Sequence, residues 1–173
     1  MYAGAQRVPD CQVQLIPVTE LGDGAPRWDD LDKADAIIFG APTYMGSVSA
    51  EMKRFMELTS KRWATLAWAD KLAAGFTNSG SQDGDKHNTL VSFVTLAAQH
   101  GMVWVNPNLL PGNNHSKGSV EDLNRLGASM GVTAQSNIDQ GPDLCPPRAD
   151  LNTAGVLGER VAKCAHRWLA GKG

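Results

Sequence analysis

Two short stretches carry the residue types best suited to chemistry. In Ala41-Pro42-Thr43-Tyr44-Met45-Gly46-Ser47, a stiff proline, a permissive glycine, two hydroxyls and an aromatic ring follow a continuous apolar run. In Asn78-Ser79-Gly80-Ser81-Gln82-Asp83-Gly84, small polar residues and two glycines follow another. Backbone N–H groups in such loops are free to point at a ligand, and Tyr44 and Met45 add flat or soft apolar surface. The combination suits a planar heteroaromatic ring whose edge accepts hydrogen bonds from amides. The same residues also suit a capped strand-to-helix loop and a plain polar surface loop, because short motifs alone are weak signals. His100, just before Gly101, is a candidate for ligand or substrate contact, or else a partner of a helix C-terminus. His115, in Pro111–Lys117, is a second candidate. Trp63, Trp68 and Trp104 read as core, or as a hydrophobic wall on the ligand side.

Several chemistries find no support. The sequence holds no GxSxG, Walker A, GxGxxG or HExxH motif and no DxD metal pair. Cys145, in Leu144-Cys145-Pro146-Pro147, has no base beside it. A hydrolase or kinase is therefore disfavoured, and a cofactor that brings its own chemistry fits better. The 173 residues suit a single domain over 1–173. With 16 Lys+Arg against 18 Asp+Glu, the net charge of −2 argues against a nucleic-acid or anionic-membrane surface. No apolar run approaches the roughly 18–20 residues of a membrane span, and the N-terminus lacks the apolar stretch of a signal peptide. Cys11, Cys145 and Cys164 are odd in number and far apart, so no disulfide framework or metal spacing is expected and a reduced cytoplasmic compartment is.

The elements that would position these loops follow from periodicity. Gln12–Ile16 alternates and predicts a strand ended by Pro17. Leu21–Pro26 is a loop, and Trp28–Lys33 a short helix. Ala36–Gly40, Leu72–Thr77 and Met102–Val105 are continuous apolar runs, as in parallel strands covered on both faces. Ser49 is a helix N-cap for an inward face of Met52, Phe55 and Met56. His87–His100 has helical spacing with Gly101 at its C-terminal cap. Asn106–Pro147 is long and Pro/Gly/Asn-rich, with a short helix near Val120–Leu126, and it reads as an irregular insertion that shapes the substrate mouth or a subunit contact. Leu151–Leu169 is an amphipathic helix. This order predicts an α/β, doubly wound parallel sheet with flanking helices, whose ligands sit beyond the carboxyl ends of the strands.

Taken together, Asp35–Gly46 with Met52-Lys53-Arg54-Phe55, then Lys71–Gly80 and Thr95–Met102, resemble the flavodoxin-like NAD(P)H:quinone oxidoreductases of the WrbA type, within the NADPH-dependent FMN reductase and flavodoxin superfamily. The likeness runs from about Ala3 to Leu169. It implies a flavodoxin-like fold with non-covalent FMN, NADPH or NADH as reductant, and often a homo-oligomer, dimer or tetramer. It places Pro42, Thr43, Tyr44, Met45 and Gly46 at the isoalloxazine and Asn78, Ser79, Gly80 and Ser81 in a second flavin loop. Relatives often carry a histidine near the flavin where this chain has Gln99, with His100 beside it. Tyr44, Trp104, His100 and His115 would line the substrate pocket, and no metal is implied. Such relatives open with a strand and a Ser/Thr/Gly-rich loop that holds the FMN phosphate at a helix N-terminus. This sequence opens inside the first helix, at Met1–Val8, about 20 residues later at typical element lengths. A start codon assigned too late is the preferred explanation, ahead of a truncated paralogue or a segment supplied from elsewhere. The expectation is that the form as given binds FMN weakly or not at all.

The activity so implied is two-electron (hydride) transfer from NAD(P)H through FMN to a quinone, with ping-pong kinetics and no strong acid or base from the protein. One alternative is a flavin-free assembly module. Another is a flavodoxin-type electron carrier, although such carriers need a charged docking face and this chain is only −2.

Overall fold

A computed structural model describes residues 1–171 of the chain. Its elements are α1 (Tyr2–Ala5), α2 (Trp28–Lys33), β1 (Ala36–Tyr44), β2 (Ser47–Val48), α3 (Ala50–Leu58), α4 (Ser60–Ala64), β3 (Leu72–Ser79), α5 (Lys86–Gln99), β4 (Val103–Trp104), β5 (Val132–Gln135) and α6 (Arg148–Ala170). β1 and β3 pair in parallel from Ala36 against Leu72 to Pro42 against Asn78. β4 and β5 lie end to end along the far side of β3, both parallel to it. The first pairs at Leu72 and Ala73, the second from Phe76 to Ser79. Residues 106–131 are therefore an excursion that leaves the sheet in mid-strand and rejoins it.

Alternation within β1 explains its two-sided burial. Ile37, Phe39 and Ala41 enter a core with Met52, Phe55, Leu90, Phe93 and Leu96 from α3 and α5. Ala36 and Ile38 face Leu157 and Val161 of α6. Successive strand residues point to opposite faces, so a strand covered on both sides must be apolar throughout. α3 starts where Ser49 accepts a hydrogen bond from the Met52 amide, and it buries Met52 and Phe55. Gly101 has φ of +69°, the left-handed turn that ends α5.

Three expectations are corrected. Cys11–Pro17 forms no strand. Its side chains still pack, Val13 beside Ala5, Val8 and Ala162, and Ile16 beside the α3–α5 core. A strand exists only through ladder partners, and among the described residues the edge of β1 from Ala36 to Pro42 pairs with none on that side. Val120–Leu126 forms turns, not a helix. Val132–Gln135, inside the stretch expected to be irregular, is strand β5.

At the amino end of the sheet the polar groups look inward. Arg62 grips Asp32 with two hydrogen bonds of 2.7 and 2.8 Å, and Trp68 Nε1 donates to the same carboxylate at 2.8 Å. Burial raises the Asp32 carboxyl, but the bonds from Arg62 and Trp68 outweigh it and hold the group below the usual carboxylate range. No described helix is long and apolar enough to cross a membrane.

Candidate functional site

Parallel pairing sets Pro42 beside Asn78, so the loops that follow β1 and β3 leave the carboxyl edge of the sheet side by side. The first turn of α5 ties both down. Thr89 Oγ1 lies 2.8 Å from Thr43 Oγ1, which lies 2.7 Å from Thr77 Oγ1, and all three side chains are buried. Asn88 Nδ2 donates to the Gly46 carbonyl at 2.7 Å. Lys86 is only 2% exposed, and its ammonium donates to the carbonyls of Ser81, Gln82 and Asp83. Burial pushes Lys86 below the usual lysine range. Asp83 and Asp150 pull it back and Arg125 adds to the fall.

The second loop is also held from the sheet. Gln135 Nε2 donates to the Gly80 carbonyl at 2.9 Å, and the Gln135 amide donates to Asp150 Oδ2 at 2.9 Å. Arg125, from the 106–131 excursion, forms two hydrogen bonds of 2.7 and 2.8 Å to Asp150. Asn78 and Ser136 exchange hydrogen bonds across β3 and β5. Gly84, with φ of +54°, closes the loop where an added Cβ would sit 2.2 Å from Ser79 Oγ. Both features favour glycine there.

The structure brings Pro42, Thr43, Tyr44, Met45, Gly46, Asn78, Ser79, Gly80 and Ser81 to one edge. Their roles differ from the simple expectation. The Thr43 hydroxyl is spent inside, and the Asn78 side chain is committed to Ser136. Tyr44 and Met45 are 65% and 102% exposed, and Met45 has φ of +47°, a left-handed conformation uncommon outside glycine. Ile138, 95% exposed, lies against Gly80 and extends the apolar rim.

Four expected site residues lie elsewhere. α5 begins at the carboxyl edge and runs back, so Gln99 and His100 sit at the amino edge. Gln99 is exposed there. His100 is buried against Trp68, its ring 4.7 Å away, and its Nε2 lies 2.8 Å from Thr59 Oγ1. The Thr59 hydroxyl donates to the Met56 carbonyl at 2.6 Å, so Nε2 carries the hydrogen and Nδ1 is an acceptor with no partner among the described residues. Trp104 donates to the Met130 carbonyl and packs with the α5 core over Gly75. Trp63 is half exposed on α4 and Trp68 fully buried, so no tryptophan wall forms. His115 is exposed on the excursion, its Nδ1 accepting the Lys117 amide.

Lys86, Asn88, Thr89, Arg125, Gln135 and Asp150 were not anticipated. For the first three a signal existed, since they occupy the first turn of a helix directly after a Gly-rich loop. Away from the loops, a groove of about 280 Å³ runs along α6 beside Arg160, Lys163 and Arg167. Among the described residues no cluster of His, Cys, Asp or Glu could hold a metal.

Burial holds His100 below its ordinary pKa, so folding favours its neutral form. As pH falls through about 6.5, the unfolded chain takes up a proton more readily than the folded one, and stability drops by at most about 1.4 kcal/mol per pH unit. Urea denaturation between pH 7.5 and 5 should show this slope, and His100→Asn should flatten it. An unchanged slope in the variant would place the effect elsewhere.

Residues 23–116 match the family described as NADPH-dependent FMN reductase. The chain is 47% identical over 153 residues to flavodoxin FldP of Pseudomonas aeruginosa, covering 88% of this chain and 82% of that relative. It is 30% identical over 170 residues to an NAD(P)H dehydrogenase (quinone) of Paracoccus denitrificans, covering 98% and 76%. The crystal structure of the flavodoxin, WrbA-like protein from Agrobacterium tumefaciens superposes with a TM-score of 0.59 at 40% identity, over 81% of this chain and 71% of that one.

Proposed function

Because this chain belongs to the NADPH-dependent FMN reductase family, as a flavodoxin-like flavoprotein oxidoreductase using FMN and NAD(P)H, we propose that it passes two electrons from NAD(P)H to a quinone through FMN held across its two carboxyl-edge loops. One observation carries the reading. The two loops stand side by side, and the amides of Gln82, Asp83 and Gly84 have no intramolecular partner among the described residues. Outward amides on one loop and the exposed Tyr44 ring on its neighbour fit a planar ring with an acceptor edge. The two loops fit the ring portion of FMN through these amides and the Tyr44 ring.

When bound, FMN supplies the redox chemistry. The chain's own part is positional. The amides of the second loop donate to the ring edge, Tyr44 and Met45 cover a ring face, and the Thr43–Thr77–Thr89 hydroxyls fix the angle between the loops. No side chain need act as a strong acid or base in a site that binds and orients. The quinone acceptor is supported by the likeness to the Paracoccus protein. A cytoplasmic homo-oligomer completes the reading.

A second reading, an electron carrier, is favoured by the 47% identity to a protein named flavodoxin. Steady-state kinetics separate the two. With FMN supplied and NAD(P)H and a quinone varied together, the shared site gives parallel double-reciprocal lines. Crossing lines would contradict a shared site, and absence of turnover with reduction only by a protein donor would favour the carrier.

A further inference from the structure

Resting on the FMN reading above, we propose that Lys86 is a positioning residue that turns the 80–84 loop inside out, its carbonyls gathered on one buried ammonium and its amides presented to the cofactor edge. The geometry is direct. Lys86 Nζ receives three successive carbonyl oxygens, those of Ser81, Gln82 and Asp83, the last two at 2.8 and 3.2 Å. In a trans peptide the C=O and the next N–H point in opposite directions. The three peptides that aim their oxygens at Lys86 therefore aim the amides of Gln82, Asp83 and Gly84 away from it. Those three amides have no intramolecular partner among the described residues, and Gln82 and Asp83 are exposed, so the amides are open to a ligand.

The clamp belongs to this arrangement and not to helix capping. Asp85, the residue before α5, offers no capping bond and has φ of +54°. The side chain that reaches back into the loop is Lys86, the first helical residue, and it is buried where a lysine normally reaches water. Its charge lies behind the peptide dipoles and adds to them, so the loop presents positive potential as well as donors. Reduction makes a flavin ring more electron-rich, and such a loop holds the reduced form more tightly than the oxidised one.

The test compares wild type with Lys86→Met and with Lys86→Gln, which keeps a donor and removes the charge. Three quantities are read: FMN affinity by fluorescence titration, the midpoint potential of the bound flavin, and the ammonium signal of Lys86 in 15N NMR of the cofactor-free protein. A buried ammonium with three acceptors exchanges slowly, so its signal should stand apart from those of the exposed lysines. FMN affinity should fall tenfold or more in Lys86→Met and less in Lys86→Gln. Both variants should hold the reduced form a further tenfold less tightly than the oxidised one, a shift of about 30 mV to more negative potential for a two-electron couple. An equal potential in wild type and Lys86→Gln would overturn the proposal, as would the absence of a protected ammonium signal. If wild type itself bound no FMN, the functional reading would fail, while the ammonium signal would still report whether the clamp exists.

Discussion

Replacing Asp150 with Asn should destabilise the protein by about 3–5 kcal/mol, the usual cost of leaving a buried charge without its partner. Asp150 and Arg125 have side chains only 2% and 8% exposed and meet through two hydrogen bonds. An exposed pair would be worth under about 1 kcal/mol, so burial decides the size of this effect. The variant keeps the shape of the side chain but strands the Arg125 guanidinium. For a chain of this length the loss corresponds to a fall in Tm on the order of 10 °C. Arg125→Met should cost a similar amount for the mirrored reason. The double variant Arg125→Met/Asp150→Asn should recover much of the loss, because neither charge is then stranded. Thermal melts of the four proteins read the cycle, and additive losses would show that the residues act independently.

Phe93→Ala should cost about 3–5 kcal/mol, the range for emptying a buried aromatic site. Phe93 is fully buried on α5, with its ring 5.9 Å from that of Phe39 on β1. Gly75 beneath it leaves the space, since a Cβ there would come within 2.9 Å of both Phe93 and Trp104. Lys86, Asn88 and Thr89 lie on the same helix, so loosening α5 also loosens both loops. FMN affinity should fall together with stability. Phe93→Leu, which fills most of the volume, should lose less of both. Urea denaturation and FMN titration of the two variants check this, and a stability loss with unchanged FMN affinity would separate α5 docking from the site.

Much of this architecture was legible in the chain. Ala36–Gly40 and Leu72–Thr77 announce covered parallel strands because both of their faces must be apolar, and the polar loops after them mark the carboxyl edge. The Ser49 cap and the Gly101 stop are local chemistry and read locally. What stayed hidden depends on direction and distance. Helical spacing identifies α5 but not which end meets the ligand. Parallel order answers that, and it carries Gln99 and His100 away from the loops. Arg125 and Asp150 stand 25 residues apart, and no local pattern joins a cation in an irregular stretch to an acid in a helix. Val132–Gln135 is too short to show alternation, and only its ladder with β3 makes it a strand. Gln12–Ile16 shows the converse, a strand pattern without a ladder.

The most direct test of the account is an NMR titration of the 15N-labelled chain with FMN, read at the backbone amides. Saturable shifts confined to residues 43–47 and 79–86 are the predicted result, with the amides of Gln82, Asp83 and Gly84 moving most. Shifts centred on the α6 groove at Arg160, Lys163 and Arg167, or none at all, would contradict it.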